Sequence, residues 1–137
     1  MSKRFIYIGF LLSIVNVGEA MAVCSSANQL QDAVALNSLL SGRTVCVGST
    51  GNWEAQEIHS PDGLLIDYKR GPSHPVDPTR PIGNWNVAGA GTNTKVFYSY
   101  TAGGSFSYTV HTGPGGFSFC NGATEIIVNK IVPAGSC

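Results

Sequence analysis

Beyond Gly42, every run of β-branched and aromatic residues is cut short by glycine, proline or asparagine. This punctuation confines the chain to short strands joined by turns. The runs cover residues 44–47, 53–59, 64–69, 84–88, 95–100, 105–111, 117–120 and 124–131. Pro61-Asp62-Gly63 suits a type I turn followed by a left-handed residue, while Ala102-Gly103-Gly104 and Gly113-Pro114-Gly115-Gly116 supply positive φ. Asn121-Gly122 is a two-residue hairpin signal. Most strands should therefore lie antiparallel to their sequence neighbours. Side chains alternate across a strand, so Val96, Tyr98 and Tyr100 share one face, as do Phe106, Tyr108 and Val110. The expected class is all-β, an antiparallel meander or barrel of about eight strands that removes its own edges by closing.

One helix should precede the strands. Ser26 and Gln29 have capping-box spacing, and Leu30, Ala33, Val34 and Leu40 recur at helical intervals up to Gly42, which predicts a helix over 27–40. Its apolar stripe suits covering a sheet or plugging a barrel end. The segment 71–83 carries Pro72, Pro75, Pro78 and Pro81 and is expected to be a long surface loop, since proline donates no ladder hydrogen bond. Such a loop serves either as a strap across one barrel mouth or as a binding loop.

Residues 1–22 read as an export signal. Lys3 and Arg4 form a positive start, an apolar run follows from Phe5 to Val17, and Ala20-Met21-Ala22 is a small-residue cleavage site. The domain is then 23–137, exported to the periplasm or medium, with no later segment able to span a membrane. From Val23 on there are six basic and seven acidic residues, a balance that argues against binding nucleic acid through bulk charge. Cys24, Cys46, Cys120 and Cys137 all fall in this part, and an even count in an exported domain favours two disulfides. Three pairings are open. A helix of about 20 Å over 27–40 would hold Cys24 far from Cys46, which favours Cys46 with Cys120 and Cys24 with Cys137.

Gly51-Asn52-Trp53 and Gly83-Asn84-Trp85 each open an expected strand. A Gly-x-Trp there resembles the opening motif of the lipocalin-like and avidin-like (calycin-like) barrels, and the resemblance implies a tryptophan closing the barrel floor. The stretch running from Trp53-Glu54-Ala55-Gln56-Glu57 through Asp67-Tyr68-Lys69-Arg70-Gly71-Pro72 and Val76-Asp77-Pro78-Thr79 to the second motif also resembles small exported bacterial proteins of unassigned function, which implies no activity. Two departures from lipocalins stand out: the helix comes before the strands, and the tryptophan motif occurs twice.

Catalytic chemistry has one candidate constellation. Trp53, Ala55, Glu57 and His59 alternate onto one strand face, and Leu65, Asp67 and Lys69 onto another. If the residue numbers of the hairpin pairs sum to 124, Glu57 faces Asp67 and His59 faces Leu65. Paired carboxylates raise each other's pKa, as general acid catalysis requires. A bulge at Gly63 would instead put Tyr68 opposite Glu57, and the reading we favour over catalysis is a solvated face carrying charge pairs. His59, His74 and His111 lack metal-ligand spacing, no nucleophile elbow is present, and the glycine runs sit in turns without a helix start.

The chain is therefore expected to be a monomeric binding protein without a cofactor. An eight-stranded barrel is by default filled with side chains, which favours a protein partner held by loops in the manner of an inhibitor or immunity protein. The binding residues would be Trp53, Tyr68, Lys69, His74, Asp77, Arg80 and Trp85. The alternatives are a small hydrophobic ligand inside a barrel lined by Tyr98, Tyr100, Phe106 and Tyr108, and an enzyme using Glu57, His59 and Asp67.

Overall fold

In the computed structural model, which describes residues 23–71 and 73–137, eight antiparallel strands follow one another around a closed barrel. They are β1 (Arg43–Ser49), β2 (Asn52–His59), β3 (Leu64–Asp67), β4 (Arg80–Ala88), β5 (Lys95–Tyr100), β6 (Gly104–Gly113), β7 (Gly116–Asn121) and β8 (Thr124–Pro133). Strand β8 pairs back onto β1, so every edge is satisfied. The export signal expected over 1–22 lies outside the described residues, as does Pro72. No helix among the described residues is long and apolar enough to cross a membrane.

Strand β4 begins four residues earlier than its turn chemistry suggests. Pro81 is paired with Ile66 inside it, contrary to the expectation of loop throughout 71–83. Pro81 lies beside the register shift between Leu65 and Ile66 and beyond the β4–β5 ladder, which begins at Gly83, the bulge and edge positions where a strand accepts proline. The second Gly-Asn-Trp motif consequently sits within a strand. Its Gly83 is needed for close approach, since a Cβ there would lie 2.2 Å from the Ser99 carbonyl oxygen.

The helix α1 spans Ala33–Leu40, shorter than expected. Asp32, and not Ser26, caps it, its carboxylate accepting from the amides of Val34 (2.8 Å) and Ala35 (3.2 Å). This start sets the helical phase: Leu36 and Leu40, one turn apart, are fully buried, whereas Val34 points to solvent. The helix packs against β1 and β4 and closes one end of the barrel. There its leucines join Leu65, Trp85, Val96 and Val110 in the core.

Ahead of α1, residues 24–32 include a 3₁₀ turn (Ser26–Asn28) and run along the outside of β6. The Leu30 amide donates to the Val110 carbonyl at 2.8 Å, and His111 Nδ1 donates to the Ser25 carbonyl at 2.9 Å. Because this segment is not helical, Cys24 reaches β7, and the disulfides are Cys24–Cys120 and Cys46–Cys137. The pairing expected from a long helix is thereby corrected. At the other terminus the tail folds back over β1. Gly135 exchanges two hydrogen bonds with the Thr44 hydroxyl, and the Cys137 amide donates to Gln56 Oε1 at 2.8 Å. Cys24 and Cys137 are thus both pinned to the outer wall, a use of disulfides that fits an oxidising exported compartment.

Candidate functional site

The end of the barrel away from α1 is not filled. A cavity of about 340 Å³ occupies it, floored by Tyr98, Val128 and Phe119 and walled by Val45, Val47, Ala55, Glu57, Tyr100, Tyr108 and Ile126, with Glu54 at the rim. Small side chains contribute to it: Val47 and Ala55 are cross-strand partners and both line the cavity. This corrects the expectation of a filled interior. An eight-stranded barrel can hold either side chains or one small ligand, and here α1 and the core take one half and the cavity the other.

Glu57 is brought into this cavity by the expected register. Glu57 pairs with Asp67, Ile58 with Ile66 and His59 with Leu65. Ala55, Glu57 and His59 face inward, but Trp53 does not. A bulge between Val47 and Gly48 sets Trp53 opposite Gly48 and turns Glu54 towards the rim. Trp53 therefore lies outside the barrel, with the Lys130 ammonium 5.0 Å from its ring centroid.

The Glu57 carboxylate accepts hydrogen bonds from the Tyr100 hydroxyl at 3.1 Å (Oε1) and 3.2 Å (Oε2). Burial pushes its pKa above the usual carboxylate range, the Tyr100 hydrogen bond opposes that rise, and the neighbouring Asp67 charge adds to it. Among the described residues no lysine, arginine or histidine forms an ion pair with it. The one ion pair found joins Lys69 Nζ to Asp67 at 3.3 Å.

His59 lies beneath the cavity floor. Its Nδ1–H donates to the Glu57 carbonyl at 3.1 Å, which leaves Nε2 to accept from the Tyr98 hydroxyl at 2.8 Å. It is fully buried, and burial lowers its pKa to about 4. Trp85 packs its ring edge-on, 4.9 Å from the imidazole, and donates Nε1–H to the Ser60 carbonyl at 3.0 Å. Of the three candidate catalytic residues, Glu57 alone lines the cavity; His59 is sealed below it, and Asp67 stands beside Glu57, tied to Lys69.

Trp85 is 5% exposed at the α1 end, which corrects its expected place in a binding loop. Trp53, Tyr68, Lys69 and Asp77 do converge, together with Arg70, on an outer groove of about 430 Å³. His74 is turned to its own loop, where Nδ1 accepts from the amides of Val76 (3.3 Å) and Asp77 (3.0 Å). Arg80 lies apart from the groove, beside Ile82 and Tyr100. Of the aromatics expected inside, Tyr98, Tyr100 and Tyr108 line the cavity; Phe106, 45% exposed and edge-on to Tyr100, instead lines a separate pocket with Phe97 and Asn86. Sequence reasoning missed Ala55, whose signal is its small size among the larger inward residues of β2. No group of three or more potential metal ligands is found among the described residues.

No protein-family model, curated protein or solved structure matches the chain.

Proposed function

We propose that this is an exported binding protein whose barrel takes a small molecule into its open end. The observation that carries this reading is the Glu57–Tyr100 pair at the wall of a cavity lined, apart from Glu54 at the rim, by apolar and aromatic side chains. Ligand sites combine a mostly apolar lining with a few placed polar groups, in volumes of roughly 300–1,000 Å³. The lipocalin-like and avidin-like resemblance supports the same use of the fold, by analogy only. The protein acts by binding in this reading, because His59, beneath the carboxylate, already has both ring nitrogens occupied.

The reading is tested with the neutral fluorophore N-phenyl-1-naphthylamine. Its emission should rise on mixing with the protein and stay at baseline with Ile126→Trp, which fills the mouth. An equal rise with both proteins would count against the cavity. A second reading, docking of a protein partner, is favoured by the convergence of Trp53, Tyr68, Lys69 and Asp77 on the outer groove. Ile126→Trp should leave that partner's binding intact.

A further inference from the structure

We infer that the ligand of the open cavity is an organic cation, an ammonium group carried on a small apolar or aromatic body. This rests on the cavity reading above and adds the ligand's charge to it. Every charged residue lining the cavity is acidic: Glu57 on the wall and Glu54 at the rim. Asp67, the cross-strand partner of Glu57, is a third acidic group next to it, and it is the one that holds Lys69. Of the nearby cations, Lys69 is held on Asp67, Lys130 lies over the outer face of Trp53, and Arg80, opposite Asp67, lines a separate pocket with Ile82 and Tyr100. An anionic ligand would meet repulsion, and a neutral one would leave a partly buried carboxylate with only a hydroxyl for company.

The walls fit the same charge. Tyr98 stacks on Tyr100 with ring centroids 6.1 Å apart, lies 6.0 Å from Tyr108, and Tyr108 is 6.3 Å from Phe119. These four aromatic residues all line the cavity, and aromatic faces attract a cation most strongly when it is shielded from water. An ammonium entering between them gains a charge-assisted hydrogen bond to Glu57 that neither water nor an alcohol supplies equally. The outer groove mixes Lys69 and Arg70 with Glu54, Asp67 and Asp77, so both signs of charge line it.

The test is calorimetric titration with three probes of similar shape: phenethylammonium, 2-phenylethanol and 3-phenylpropanoate. The amine should bind roughly tenfold or more tightly than the alcohol, and the propanoate least. Glu57→Gln should remove that preference, and Tyr108→Leu should weaken the amine more than the alcohol. Alcohol binding equal to or tighter than amine binding would overturn the cation inference and leave the cavity reading standing. Binding of none of the three would overturn both.

Discussion

The Tyr100 hydroxyl reaches both oxygens of Glu57, at 3.1 and 3.2 Å, from the strand across the barrel mouth. A donor shared between two carboxylate oxygens favours the charged form, and burial opposes it. Tyr100→Phe should therefore raise the Glu57 pKa further, as read from the side-chain carboxyl carbon in an NMR titration. An unchanged or lower value would show that the hydroxyl does not support the charge.

The same carboxyl should cost stability at neutral pH. Its folded pKa lies above the 4.5 of an unfolded chain, so the contribution it makes is present below about pH 4.5 and is lost as pH rises through the folded value. Glu57→Gln should leave the free protein equally or more stable at pH 7 in urea denaturation. A marked loss of stability would mean that the carboxylate is a structural partner and not a ligand group.

His59 has the opposite sign. Its pKa falls from 6.5 unfolded to about 4 folded, so its stabilising effect is complete above pH 6.5 and declines as pH drops towards 4. At roughly 1.4 kcal/mol per pKa unit the loss amounts to about 3 kcal/mol. The pair His59→Leu with Tyr98→Phe removes both hydrogen-bonding partners together. Urea midpoints of this variant should change less between pH 7 and pH 4 than those of the parent. An equal slope would place the acid sensitivity elsewhere.

Cleavage without reduction should yield peptides linking residue 24 with 120 and residue 46 with 137. Replacing Cys46 and Cys137 together by serine should cost about 2–5 kcal/mol, because the bridge closes most of the chain and holds the tail on β1. Peptides linking 46 with 120 would contradict the strand order at the outer wall.

Gly83→Ala should destabilise by about 1–3 kcal/mol, since the added methyl meets backbone and not a movable side chain. Gly115→Ala is the control, having no atom within 4 Å of the added carbon. Comparable midpoints for the two variants would contradict the close contact of β4 with β5.

Much of this architecture was legible in the sequence because turn chemistry and period-two alternation are local. Asp62-Gly63 and Asn121-Gly122 mark hairpins, and the strand Lys95–Tyr100 has the expected bounds. The Glu57–Asp67 pairing followed from the short turn between the strands. What local signals missed is set by distant contacts. The bulge opposite Gly48 turned Trp53 outward, and the passage of residues 24–32 over β6 decided the disulfides. The cavity was missed for a related reason: a void is the absence of volume summed over several strands, and Ala55 gains meaning only beside Val47 and Tyr108.

The most direct measurement is chemical-shift mapping with saturating phenethylammonium and, separately, 2-phenylethanol. Movement is expected at Val45, Ala55, Tyr108 and Ile126 around the cavity, with Leu36, Leu40 and Leu65 at the closed end unmoved. Movement confined to Trp53, Tyr68 and Asp77 in the outer groove, or none with either probe, would contradict the cavity reading.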